Sequence, residues 1–195
     1  MADPSRFGPA IRCFLSPFDA VLELLLLRRH QDQAVGAVRR SNFLSRDFFY
    51  SHPFRQRPLT IHVAWLAHER RLVSHPDGYL IRVTRDQPAR WRVQPHAEDK
   101  MMIDAGTWTI LDRLHERAGL FAWRETLHGV REWLATPAST EHVTRCAFAA
   151  ADAIESISVP EDEATQLALY DPEAGCWHFV PREAIVHKSP AQRRV

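Results

Sequence analysis

Residues 59–66 read Leu-Thr-Ile-His-Val-Ala-Trp-Leu, and residues 79–84 read Tyr-Leu-Ile-Arg-Val-Thr. Both runs are short and rich in β-branched and aromatic residues, and the sequence His75-Pro76-Asp77-Gly78 between them is a turn signal. They therefore predict two strands, and residues 91–94 predict a third. The middle of the chain is expected to form a small mixed sheet.

A buried helix is predicted on the N-terminal side of this sheet. Residues 11–15 favour a short strand, after which Ser16 and Pro17 have the pattern of an N-cap followed by proline in the first helical turn. The helix predicted over residues 17–31 is apolar around most of its circumference, which is typical of a core helix.

The C-terminal side predicts helices and then a β-hairpin. Apolar residues recur at helical spacing in three segments, 107–118, 123–134 and 139–156. Two strand signals, 167–170 and 176–180, flank a turn signal at 171–175. The expected fold is α+β, with a single domain over residues 1–187 and a disordered basic tail at residues 188–195.

Composition favours a soluble protein of a reducing compartment. Of the 195 residues, 45% are apolar and 25% are charged, as in ordinary globular domains. No apolar run approaches the length that crosses a bilayer, and no signal peptide is recognisable at the N-terminus. The three cysteines are widely spaced and form no C-x-x-C pair, so a cytoplasmic location is expected.

Charge divides the chain into two halves. Residues 1–97 hold fifteen arginines against eight acids, whereas residues 98–195 hold ten basic residues against sixteen acids. The arginines of the first half, with Arg39 and Arg40 set among aromatic residues, predict a surface for phosphate, because a guanidinium forms paired hydrogen bonds to phosphate oxygens. A GC-rich genome also replaces Lys by Arg without functional cause, and that alternative stays open.

The most suggestive motif follows the first strand. Residues 63–72 read Val-Ala-Trp-Leu-Ala-His-Glu-Arg-Arg-Leu, a strand that ends in Glu69, Arg70 and Arg71. This pattern resembles the strand ending in Gly-Glu-Arg-Arg of the ParB/sulfiredoxin superfamily, which includes plasmid fertility-inhibition proteins of the Osa kind. His68 stands in place of the family's glycine, and Pro76 shortens the helix that follows the arginines in that family. The resemblance implies that Arg70 and Arg71 grip phosphate of DNA or ATP. Glu69 is a candidate catalytic residue, expected to bind a divalent ion together with the acids near position 98.

A second pattern has the order of the PD-(D/E)xK nucleases. Pro76-Asp77 is followed some twenty residues later by Glu98-Asp99-Lys100. In such enzymes the carboxylates hold Mg²⁺ and the lysine stabilises the attacking hydroxide or the scissile phosphate. Asp77, Glu98 and Lys100 are therefore candidate catalytic residues, and Glu98 and Asp99 are candidate metal ligands.

Histidines offer a further candidate metal site. His62 and His68 are six residues apart, which places them on one face of an uninterrupted strand, and His96 with Glu98 and Asp99 could complete the ligand set. No H-E-x-x-H motif accompanies them.

Two functions of different classes follow. The first is a DNA-binding or DNA-processing protein of a bacterial mobile element, a Mg²⁺-dependent nuclease with ATP binding that blocks conjugative transfer. The second is a non-catalytic protein-interaction module, a regulator or immunity-type protein that uses the acidic helical half. A concave placement of Glu69, Arg70 and Arg71 would favour the first function, and an exposed convex placement would favour the second.

Overall fold

The computed structural model describes residues 2–5, 8–28, 58–88, 90–92, 100–133 and 137–185. The predicted tail at residues 188–195 lies outside these ranges, and the single domain over residues 1–187 stays a prediction. Within the described ranges, no helix combines the length and the apolar character needed to cross a lipid bilayer.

Four α-helices occur among the described residues, close to the predicted positions. They are α1 (Pro17–Arg28), α2 (Ala105–Arg117), α3 (Trp123–Trp133) and α4 (Pro137–Asp152). At the start of α1 the Ser16 hydroxyl oxygen accepts a hydrogen bond from the amide of Phe18 at 3.2 Å, as its predicted capping role requires. At the start of α2 the Asp104 carboxylate accepts from the amide of Thr107 at 2.7 Å, so this helix begins before the predicted residue 107.

Eight strands form one mixed sheet in the described part of the chain, which is larger than the small sheet expected. They are β1 (Ala2–Ser5), β2 (Gly8–Cys13), β3 (Leu59–His68), β4 (Arg71–Ser74), β5 (Arg82–Gln87), β8 (Ser156–Ser158), β9 (Gln166–Asp171) and β10 (Cys176–Pro181). The predicted C-terminal hairpin is confirmed by antiparallel pairing of β9 with β10. It is not a separate unit, because β9 also pairs with β3.

Strand β3 is the centre of this sheet. Its first half pairs in parallel with β2 and antiparallel with β5, and its second half pairs antiparallel with β9 and β4. The register against β5 shifts between His62 and Ala64, which inserts one extra residue into β3. Such a bulge reverses the alternation of side chains, so the expectation that His62 and His68 share one face is wrong.

Helices cover both faces of the sheet. On one face, α1 and α4 pack through Leu22 and Ala147 against Trp65 of β3. On the other face, α2 packs through Leu114 against Leu66. The predicted arrangement, with the N-terminal helix behind the sheet and later helices in front, is confirmed for α1 and α2, whereas α4 joins α1 on its own face.

The third predicted strand lies in a different sheet. β6 (Arg90–Arg92) pairs antiparallel with β7 (Lys100–Met102) in a separate two-stranded sheet. The expectation that this segment extends the main sheet is therefore wrong for Trp91 and Arg92, and residues 93 and 94 lie outside the described residues. The second predicted strand is displaced, since Leu80 makes only an isolated bridge to Ser74 and the regular strand starts at Arg82.

Candidate functional site

The Glu-Arg-Arg motif forms the tip of a tight hairpin. His68 of β3 pairs with Arg71 of β4, so that only Glu69 and Arg70 connect the two strands. Both connecting residues have positive φ, 48° and 61°. This is the geometry of a two-residue turn that normally selects Asn-Gly, because a side chain in the left-handed region costs about 1–2 kcal/mol per residue. We call Glu69, Arg70 and Arg71 the arginine turn.

Three contacts hold the arginine turn in place. The amide of Arg70 donates to Oε1 of Gln166 at 2.9 Å, and the Arg70 guanidinium lies 4.8 Å from the centre of the Phe179 ring. Arg71 donates to the Glu69 carboxylate at 2.5 Å. The strained backbone is therefore supported by the neighbouring hairpin of β9 and β10.

The arginine turn is exposed. The Glu69 side chain is 67% exposed and that of Arg71 is 34% exposed, and Arg70 belongs to the exposed class. None of the three lines the cavity described below. Glu69 and Arg70 are therefore accessible at the protein surface and lie outside that cavity.

Acidic residues lie on the elements beside the turn. β8 pairs in parallel with β4, and Glu155 immediately precedes the Ser156 that pairs with Leu72. A short 3₁₀ helix, Glu161–Glu163, precedes the Gln166 that caps the turn. We call the exposed carboxylates of these elements the acidic edge: Glu155, Glu161, Asp162 and Glu163.

Two of the other predicted site residues, Asp77 and Lys100, are described, and they are not brought to the turn. Asp77 lies in the exposed turn before β5, whereas β7, which begins at Lys100, is attached at the far end of β5 through a hydrogen bond of 2.8 Å from Gln87 to the Met102 carbonyl. The five residue steps from Arg82 to Gln87 span roughly 17 Å. Asp77 and Lys100 therefore lie towards opposite ends of this strand.

Five further predicted residues fall outside the described ranges: His96, Glu98, Asp99, Arg39 and Arg40. Among the residues that are described, no group of three His, Cys, Asp or Glu side chains could hold a metal ion. The described residues thus assemble no Mg²⁺ site, and the roles of Glu98 and Asp99 as metal ligands stay predictions.

A cavity of about 230 Å³ lies elsewhere in the fold. Its deep wall is made by buried side chains of both helix layers and of β3, and its rim by exposed residues such as Phe121 and Glu173. The aromatic, histidine and acidic residues of the lining are Phe18, Asp19, His62, Trp65, His115, Phe121, Trp123, Tyr170, Asp171 and Glu173.

The deep wall contains polar groups without hydrogen bonds. His62 is 6% exposed and Trp65 is 1% exposed, and neither Nδ1 of His62 nor Nε1 of Trp65 has a hydrogen-bond partner. Burial, together with the nearby guanidinium groups of Arg82 and Arg12, lowers the pKa of His62 to about 3. His62 is therefore neutral at physiological pH.

The carboxyl of Asp19 is the most perturbed acid of the cavity. Burial, and secondarily the negative charge of Glu23 one helical turn along α1, raise the pKa of Asp19 to about 7. Glu23 itself is ion-paired with both Arg12 and Arg82. Asp19 is thus poised to gain or lose a proton near neutral pH.

His115 completes the aromatic lining. Its ring stacks on Trp123 at a centroid distance of 4.1 Å and an interplanar angle of 15°. Burial lowers the pKa of His115, and the hydrogen bond with the Leu111 carbonyl at 2.7 Å opposes this shift only in part. The ring consequently adds a flat, neutral surface to the cavity.

Sequence reasoning did not predict this cavity. Its residues come from α1, β3, α2, α3 and β9, which are far apart along the chain, and no local motif connects them. The one available signal was the presence of two acids, Asp19 and Glu23, within a mostly apolar helix, since a buried acid in such a segment often marks a functional site.

Comparisons of the chain with protein-family models, with curated proteins and with solved structures find no match.

Proposed function

We propose that this chain is a non-catalytic protein-interaction module that contacts its partner through the arginine turn and the acidic edge. The observation that carries the proposal is the strained and exposed turn, in which two long charged residues occupy positions that favour Asn-Gly. A turn that served only to connect β3 and β4 would be more stable with the favoured pair. The loss of stability caused by positive φ at Glu69 and Arg70 is explained if their side chains are used for recognition.

The charges around the turn favour a protein partner over DNA. Arg71 is paired with Glu69 at 2.5 Å, which leaves Arg70 as the main cationic group of the tip. Within the acidic edge Glu161 is ion-paired with Arg182 at 3.4 Å, and the remaining carboxylates, Glu155, Asp162 and Glu163, would repel the phosphates of a duplex lying along this surface. A protein surface that carries both acidic and basic groups could pair its acids with Arg70 and its bases with the acidic edge.

The proposal can be tested by recovering complexes from the source cells. We expect one protein to be recovered in stoichiometric amount with the wild-type chain and with Arg117→Ala, which removes an exposed arginine on α2. Arg70→Ala should lose that protein. Equal recovery with all three chains would contradict the assignment of the turn as the contact.

DNA binding is the second candidate, favoured by the excess of arginine over acid in the first half of the chain. On this hypothesis Arg70 and Arg71, together with Arg39 and Arg40, bind phosphate of DNA or ATP. Glu98 and Asp99 would hold Mg²⁺ in a mobile-element nuclease that blocks conjugation. Binding of labelled DNA that weakens steeply with salt, and more with Arg70→Ala than with Arg117→Ala, would favour this function. Cleavage that requires Mg²⁺ or ATP would make the chain an enzyme.

A further inference from the structure

The cavity presents one sign of charge to a ligand. Three carboxylates, Asp19, Asp171 and Glu173, belong to the lining, and among its described residues there is neither lysine nor arginine. The two lining histidines, His62 and His115, both have a lowered pKa because they are buried, so they add no positive charge at neutral pH. The nearby guanidinium groups of Arg12 and Arg82 are ion-paired with Glu23, so the carboxylates of the lining favour a cation over an anion.

The walls of the cavity are aromatic. Rings of Phe18, Trp65, Phe121, Trp123 and Tyr170 all belong to the lining. The face of an aromatic ring attracts an organic cation by about 0.5–2 kcal/mol, and its apolar surface also binds the hydrocarbon part of such a ligand. A small inorganic cation would have to exchange its hydration shell for these rings, so the lining favours a cation with an apolar body.

The volume limits the size of the ligand. A space of about 230 Å³ corresponds to roughly eight groups of the size of a water molecule at about 30 Å³ each. Drug-sized ligands occupy larger pockets, of about 300–1,000 Å³. The cavity is thus suited to one ring or one short chain with a single charged group.

We propose that this cavity binds a small organic cation, an amine of about eight to ten non-hydrogen atoms, with its ammonium group beside Asp19 and its apolar body between the aromatic side chains. The site is separate from the arginine turn, so it does not rest on the interaction function proposed above. The Asp19 carboxylate supplies the charge, and the aromatic residues of the lining, of which Phe121 is the most exposed, supply the apolar surface.

Protonation of Asp19 couples binding to pH. The pKa of Asp19 in the empty cavity is about 7, and a bound ammonium ion stabilises the carboxylate form, so the affinity should rise between pH 6 and pH 8. The groups that also face this region are Glu23, Arg12, Arg82, His62, His115, Tyr170, Asp171 and Glu173. The pKa of Tyr170 is raised by burial, so its hydroxyl stays neutral in this range.

The test uses three probes of nearly equal size and different charge: phenethylammonium, phenethyl alcohol and phenylacetate. Their binding to the full chain is measured by titration calorimetry and by tryptophan fluorescence, because Trp65 and Trp123 line the cavity. We expect the ammonium to bind roughly tenfold or more tightly than the alcohol, as a charge-assisted contact provides, and phenylacetate to bind most weakly.

Asp19→Asn should abolish the preference for the ammonium and leave the affinity for the alcohol unchanged. Asp152→Asn, which changes an exposed aspartate at the end of α4 outside the cavity, should leave both affinities unchanged. Thermal unfolding of both variants is recorded to establish that they are folded. Failure of the wild-type chain to bind the ammonium, equal affinity for the ammonium and the alcohol, or equal losses in the two variants would overturn the proposal.

Discussion

Replacing Glu69-Arg70 by Asn-Gly should stabilise the protein. Asn and Gly adopt the left-handed conformation more easily than Glu and Arg, and the relief of backbone strain at the two positions adds about 2–3 kcal/mol to the free energy of unfolding. Against this, loss of the Arg70–Phe179 contact costs about 0.5–1 kcal/mol, loss of the exposed Glu69–Arg71 pair costs at most about 1 kcal/mol, and the added glycine costs about 0.5 kcal/mol through the unfolded chain. The hydrogen bond from the residue-70 amide to Gln166 is retained. The net gain is about 1 kcal/mol.

Urea unfolding followed by circular dichroism measures this gain, and Tm should rise by about 2–4 °C for a chain of this length. The matched control is Glu69→Ala with Arg70→Ala, which removes the same charges but keeps side chains at both positive-φ positions, so it should show no gain. If the Asn-Gly variant is no more stable than the Ala-Ala variant, the turn is not strained, and its sequence then gives no evidence of a recognition role.

Three further predictions concern the core and its buried ionisable groups. Because the pKa of Asp19 is about 7 when folded and 3.8 when unfolded, Asp19 destabilises the fold increasingly as pH rises from about 4 to 7. Asp19→Asn should therefore raise the free energy of unfolding by about 2 kcal/mol at pH 8, after allowance for solvent in the cavity, and by almost nothing at about pH 3, where the carboxyl is protonated in both states. His62, whose pKa falls from 6.5 to about 3 on folding, should make stability drop as pH falls below 6.5, and His62→Phe should shift acid unfolding to lower pH. Leu114→Ala, at a fully buried position, should cost about 2–5 kcal/mol in urea unfolding, whereas Phe148→Ala, at a position 51% exposed, should cost under about 0.5 kcal/mol.

Elements with strong local signals were predictable from sequence. The Ser16-Pro17 start of α1 and the turn between β9 and β10 both follow from local chemistry. In that turn the Asp171 carboxylate accepts a hydrogen bond from the amide of Glu173 at 2.9 Å, and Gly175 takes a positive φ of 65°. Such features depend on neighbouring residues, which is why the sequence is sufficient to locate them.

Elements that depend on distant partners were not predictable. Strand β4 was missed because Glu69-Arg70 lacks the Asn or Gly that marks a two-residue hairpin. Residues 90–92 have strand character, but nothing local distinguishes pairing with residues 100–102 from pairing with the main sheet. The bulge after His62 and the cavity around Asp19 likewise arise from packing between elements that are remote in sequence.

Site-specific photo-crosslinking in the source cells identifies the molecule that contacts the arginine turn. A benzophenone amino acid is placed at position 155, on the acidic edge beside the arginine turn, with Arg70 either present or replaced by alanine. A second chain carries the same group at position 117 on α2. We predict one discrete adduct from position 155, digested by protease and not by nuclease, which disappears with Arg70→Ala and is absent from position 117. An adduct digested by nuclease, or one that is unaffected by Arg70→Ala, would contradict a protein-interaction surface centred on the arginine turn.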